Sequence, residues 1–191
     1  LVGLVLAAGT STADLKVVKI QETEGFTVMG RETPATEEEE VSWIGTDRTR
    51  RDSGDQTTII RLDNNKLYLV HHADKTYNVL DLPIDLEQFM PPGMIEQMKA
   101  MMTFDVSISP VDESKKIGDW TARRYDVQLS SKMVNTTMTM WATTDVAFDK
   151  ASFLKMYEHL NSLNPGLAAM AHEMAKVEGF VVEQESTSTM P

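Results

Sequence analysis

The stretch from Asp14 to Leu82 constrains this chain more than any other feature. Short runs rich in β-branched and aromatic residues alternate there with polar turn residues, and no apolar period of three to four residues appears. Such a pattern buries one side of each run and cannot supply the continuous stripe that a helix needs. Val17 to Ile20, Phe26 to Met29, Val41 to Ile44, Thr57 to Leu62, Lys66 to His71 and Tyr77 to Leu80 are therefore read as strands. Asp63-Asn64-Asn65-Lys66 is read as a hairpin turn, because Asn tolerates the left-handed backbone that tight turns demand. With a second turn at His72-Ala73-Asp74-Lys75, an antiparallel meander is expected from Thr57 to Leu80. The anionic run Thr33 to Glu40 reads as a solvated loop entering the next strand. The basic cluster Arg48, Arg50 and Arg51 has the chemistry to hold an anionic head group. It reads better as a charged, exposed strand, since Asp47, Asp52 and Asp55 can pair with it.

After Asp81 the period changes. Pro91-Pro92-Gly93 suits a helix start, and Met94, Ile95, Met98, Met101 and Met102 then recur at helical spacing, which predicts an amphipathic helix with a Met-rich face. Strand patterns return at Phe104 to Val111, Thr121 to Leu129 and Val134 to Thr143, with a turn at Gly118-Asp119. Two further helices are expected at Asp149 to Asn161 and Pro165 to Lys176, parted by Asn164-Pro165-Gly166. Their apolar stripes are Phe153, Leu154, Tyr157 and Leu160, then Leu167, Met170, Ala171 and Met174. A final strand, Phe180 to Ser186, follows Gly179, which suits a helix stop. With 191 residues and no internal repeat or long linker, residues 14–191 are expected to form one domain.

The first thirteen residues stand apart. Leu1 to Ala8 is apolar, small residues follow through Ala13, and the whole resembles the end of a secretory signal peptide, with cleavage expected between Ala13 and Asp14 and Ala8 or Gly9 as other sites. A buried first strand is the other reading of the same residues. Gly9 stands where a lipid-bearing Cys would have to be, so no lipid anchor is possible at that position. About eight apolar residues are too few for a helix across a bilayer, which takes roughly 20, and no other transmembrane segment is expected. The expected location is periplasmic or secreted.

Charge and composition then narrow the chemistry. Eighteen Lys and Arg against 29 Asp and Glu give a formal charge of -11, which repels phosphate backbones, so nucleic acid is not an expected partner. Without cysteine, thiolate nucleophiles, zinc-thiolate sites and iron–sulfur clusters are excluded. No Gly-x-Ser-x-Gly elbow, phosphate loop or dinucleotide fingerprint occurs. His172-Glu173 opens like a metalloprotease helix, but Lys176 stands where the second His ligand belongs. His71 and His72 are neighbours whose side chains diverge on a strand, which disfavours chelation of one ion. No catalytic residue, metal site or cofactor is expected, and the chain is read as a non-enzyme.

Several short motifs carry a resemblance. They are Lys75-Thr76-Tyr77, Lys116-Ile117-Gly118-Asp119-Trp120, Arg123-Arg124-Tyr125-Asp126-Val127, Met140-Trp141-Ala142-Thr143-Thr144-Asp145-Val146 and Glu178-Gly179-Phe180-Val181-Val182. Together with the order of elements, they resemble a family of exported bacterial proteins with the fold of the periplasmic lipoprotein carriers. Members of that family often have a cysteine in the segment matched by Thr121 to Tyr125, and this chain has none. The resemblance implies an α+β fold in which a strongly curved antiparallel sheet, a half-open barrel, wraps around helices. It implies no catalytic motif.

A half-barrel plugged by Met-rich helices leads to a binding reading, because flexible thioethers can repack around apolar ligands of varied shape. Met94, Met98, Met101, Met102 and Met170, with Trp43, Tyr68 and Trp141 toward the mouth, are the candidate lining of an apolar cavity for a lipid or lipoprotein acyl chain. Two other classes stay open: an envelope protein acting through protein contacts, and a soft-metal carrier in which Met94, Met98, Met101 and Met102 bind copper(I) through sulfur.

Overall fold

The computed structural model describes residues 2–6, 15–28, 31–85, 91, 93–97, 103–131, 134–154 and 166–189. Thirteen strands dominate: β1 Val2–Leu6, β2 Leu15–Thr23, β3 Phe26–Val28, β4 Arg31–Thr33, β5 Thr36–Ile44, β6 Arg48–Ser53, β7 Gln56–Arg61, β8 Lys66–His71, β9 Thr76–Asp81, β10 Asp105–Ile117, β11 Trp120–Ser130, β12 Asn135–Thr143 and β13 Phe180–Thr189. Among the described residues helical ones are few, at 93–97 (α1), 150–154 (α2) and Gly166–Met174 (α3). Eleven strands form one antiparallel sheet in the order β10-β11-β12-β13-β1-β2-β5-β6-β7-β8-β9, and β3 and β4 pair separately. The large sheet has two free ends and is therefore not a closed barrel.

The meander expected from Thr57 to Leu80 is present as β7, β8 and β9, in continuous register from Gln56↔His71 and His71↔Thr76 onward. Its two turns place Asn65 and Lys75 at φ 53° and 54°, the left-handed backbone expected of the first. Gly118, at φ 56°, turns β10 into β11. Gly179 at φ 85° is obligatory for a second reason: a Cβ there would lie 2.1 Å from the Thr143 carbonyl oxygen where β13 starts against β12.

Two elements differ from the sequence reading, and a third is the strand given there as the other reading of the apolar start. Thr36 to Glu40 is strand, not loop, because the β2 backbone supplies a ladder from Thr23↔Thr36 to Lys19↔Glu40 while side chains 36–39 stay in water. Val2–Leu6, apolar enough for a leader or a strand, is a strand here and lies between β13 and β2. β4 had no apolar signal at all.

Pairing fixes the two faces of the sheet. One cross-strand row runs Leu15, Ile44, Thr49, Ile60, Leu67 and Leu80, and the next row on the opposite face runs Lys16, Trp43, Arg50, Ile59, Tyr68 and Val79. The first face, called inner here, bears α3. There Ile108, Tyr125, Val127, Met140 and Ala142 bury against Val177, with Met174 of α3 packed on them. A second inner cluster joins Ile60, Leu67, Leu82 and Ile84 at the far end of the sheet. Among the described residues the outer face carries a buried cluster near β10 to β13, where Ala122, Trp141 and Val182 bury beside Trp120 and Phe180.

Candidate functional site

The inner face is the first place to look for a binding surface, because among the described residues its buried apolar side chains fall into two clusters. The cluster under α3 and the cluster at β7 to β9 share no residue. Between them lie β2 and β5, whose inner residues Leu15, Val17 and Ile44 continue the apolar surface; Val17 is buried and the other two are half-buried. In the next row Val17 and Leu69 lie on the same face, parted by Ser42, Arg51 and Thr58. The same face carries charge beside this strip: Lys19 faces Glu40 across β2 and β5, Arg51 pairs with Glu40 at 3.7 Å, and Ser42, Gln21 and Gln184 add hydrogen-bonding groups.

The residues singled out from the sequence divide between the faces. Met170 lies on α3, half-buried, in the helix that packs on β10. Met94 lies on α1 but is 55% exposed, and its neighbour Ile95 is the buried member of that turn, at 5%. The expected inward flank thus holds at 95 and not at 94. Met98, Met101 and Met102 lie outside the described residues. Trp43, Tyr68 and Trp141 fall on the outer face, away from α3, so the structure does not bring them together with Met170.

Those aromatics have other partners. Trp43 is bracketed by cations from both neighbouring strands, Lys16 Nζ at 5.7 Å and the Arg50 guanidinium at 5.2 Å from the ring centroid. Trp141 lies under Lys115, 4.3 Å from its ring, and the same ammonium pairs with Glu183. Trp141 is buried because Trp120 and Phe180 flank it, while Phe148 stacks edge-on against both Phe153 and Phe180. No equivalent group covers Trp43 among the described residues.

One polar chain was not foreseen. Arg50 grips both oxygens of Asp52 at 2.9 Å, Asp52 accepts the Thr57 hydroxyl at 2.7 Å, and Thr57 Oγ1 lies 2.8 Å from His72 Nε2. The Arg50 hydrogen bonds, followed by that of Thr57, hold the Asp52 carboxyl below its ordinary value, so it is ionised at neutral pH and can only accept. The single hydroxyl proton is therefore committed to Asp52, and His72 Nε2 must carry the other proton. A nucleophile needs the reverse, with the hydroxyl donating to the base. This arrangement fastens the His72 turn to β6 and β7 and does not activate Thr57. The nearest sequence signal was the pairing of Asp52 with the arginines; the fifteen-residue separation of Thr57 and His72 becomes contact only through the β7–β8 hairpin.

Glu173 performs a similar fastening on the inner face. Its carboxylate accepts the Ile108 N–H at 2.8 Å and the Lys176 ammonium at 2.6 Å, which keeps it below the ordinary range, with the lysine as the larger cause. Tyr125, buried at 3% exposure, accepts the Glu178 N–H at 3.0 Å just after the helix. Among the described residues no group of three or more His, Asp or Glu side chains is placed to hold a metal ion. No described helix is long and apolar enough to cross a membrane.

No family model and no curated protein matches the chain. Among solved structures, PNGF-II is similar to it at 11% identity and a TM-score of 0.36, over 94% of this chain and 28% of that one. The chain thus spans under a third of that structure's length, and a likeness of this size carries no inference about activity.

Proposed function

We propose that this chain is an exported, non-enzymatic carrier or sensor that holds a lipid acyl chain, or another apolar group, against the inner face of its sheet. The supporting observation is that, among the described residues, the buried apolar side chains of the inner face fall into two clusters with the half-buried Leu15 and Ile44 between them. An acyl chain laid across that strip would join the two clusters, at about 0.8 kcal/mol for each methylene removed from water. Curvature of the sheet into a lipoprotein-carrier-like half-barrel belongs to the same proposal. Export to a compartment where lipids need carriage belongs to it too; cleavage after Ala13 does not, because it would take β1 out of the sheet between β13 and β2.

Native mass spectrometry of the protein recovered from the separated cytoplasmic and exported fractions of its producing host tests both parts at once. The expected species lies in the exported fraction, retains Val2–Leu6 and carries a bound lipid that organic extraction releases. An apo mass alone removes the carrier reading, and recovery in the cytoplasmic fraction removes export.

A further inference from the structure

The eleven-stranded sheet ends in two edges, and they are finished differently. Edge β10 is obstructed along its length. Pro110 lacks an N–H, the register breaks between Pro110 and Ser114, Asp112, Glu113, Lys115 and Lys116 follow, and Glu173 occupies the Ile108 N–H. These are the devices by which proteins keep a sheet edge from accepting another strand. Edge β9 has none of them between its ends. Thr76-Tyr77-Asn78-Val79-Leu80-Asp81 pairs with β8 in unbroken register, contains no Pro or Lys, and carries its one charge at the last residue, where Asp81 meets Lys66. It also holds two of the three large hydrophobic side chains exposed among the described residues, Tyr77 at 68% and Val79 at 43%.

We propose that β9 is a self-pairing edge, at which two copies of this chain join antiparallel about Asn78 to continue one sheet through both. A two-fold axis normal to the sheet keeps each face on its own side, so opposed residue numbers must have the same parity. The register centred on Asn78 sets Tyr77 of each copy opposite Val79 of the other, an aromatic and β-branched pair of the kind that stabilises antiparallel sheets. The same register brings Lys75, at the end of the β8–β9 turn, level with Asp81 of the second copy, so opposite charges close both ends of the joint. A register centred on Val79 would instead set Tyr77 against Asp81. On the outer face, Tyr77 and Val79 already neighbour Val70 and Tyr68 across β8, and the pairing makes one apolar band of both copies.

Two physical limits set how strong the joint is. Six residues of strand bury far less than the roughly 1,600 Å² of a standard interface, so association is weak and concentration-dependent. Each copy also carries a formal charge of -11, whose mutual repulsion salt screens, so salt strengthens the pair. This is opposite to an association driven by ion pairs.

Sedimentation velocity of the full chain, from micromolar to near-millimolar concentration in low and high salt, is the first test. A monomer–dimer equilibrium that tightens about tenfold with added salt is expected. Val79→Lys, at an exposed position, should weaken it at least tenfold while leaving the circular dichroism spectrum unchanged. Ser109→Lys on β10 should leave it as it was. Because the chain has no cysteine, register can be read directly. Under diamide, Asn78→Cys should form an intermolecular disulfide, since Asn78 faces itself at cross-strand distance, whereas Val79→Cys should form little. A monomer at every concentration, a dimer indifferent to Val79→Lys, or cross-linking at 79 in preference to 78 overturns the proposal.

Discussion

The two halves of the sheet solve the same burial problem in different ways. From β10 to β13 both faces are covered: α3 and Val177 close the inner side, and Trp120, Trp141, Val182 and Phe180 form a cluster on the outer side. From β2 to β9, among the described residues, only the inner face gathers a buried apolar cluster, and the outer face leaves Trp43 between two cations and Tyr77 and Val79 in water. The first half is built as a two-sided core and the second as a one-sided surface. Open apolar surface is costly to keep unless something uses it, so the binding and pairing roles proposed here fall on the half that is less completely covered.

The largest expected contrast comes from one charge placed on the outer face of each half. Ala122, fully buried on β11, becomes an unpaired buried carboxylate in Ala122→Asp, and loss of more than about 4 kcal/mol or of cooperative unfolding is expected. Val79→Asp, at an exposed position of β9, should change stability by no more than about 0.5 kcal/mol. Urea unfolding at low micromolar protein measures both. Similar losses would erase the distinction between the halves.

That distinction was only half legible in the sequence. Alternation located the strands well: Lys66 to His71 coincides with β8, and Thr57 to Leu62, Thr121 to Leu129 and Val134 to Thr143 fall within a residue of β7, β11 and β12. Turn chemistry located the Asn65 and Gly118 reversals. Alternation cannot say which face meets the helices, since both faces of a strand carry side chains at period two. Trp43, Tyr68 and Trp141 were therefore assigned to a cavity mouth on aromatic character alone, and pairing puts them on the outer face. Met94 was set on an inward flank by spacing alone, and the buried position went to Ile95. The polyglutamate end of β5 was missed because its signal lies in the backbone of β2, not in its own side chains.

A smaller effect sharpens the account of how α3 is held. Tyr125→Phe removes the acceptor of the Glu178 N–H in the covered half and should cost about 1 kcal/mol in urea unfolding. The smallest expected effect is in acid. Glu173 and Asp52 are both held below their ordinary values of 4.5 and 3.8, so the native state binds fewer protons than the unfolded chain near those values. Their stabilisation is complete above the ordinary values and disappears as pH falls through the lower native ones. Glu173→Gln should therefore be less stable at neutral pH and should lose stability less steeply between about pH 5 and pH 3. An unchanged acid limb would mean that the Ile108 and Lys176 contacts do not persist in solution.

The claim on which the functional reading rests is that an apolar ligand lies on the inner face between the two clusters. Photolysis of the protein with a diazirine-bearing fatty acid, followed by residue-resolved peptide sequencing, asks this directly. The account predicts adducts at Leu15, Val17, Ile44 and Leu69. Adducts confined to Trp43, Tyr68 and Tyr77 on the outer face, or no adduct at saturating fatty acid, would contradict it.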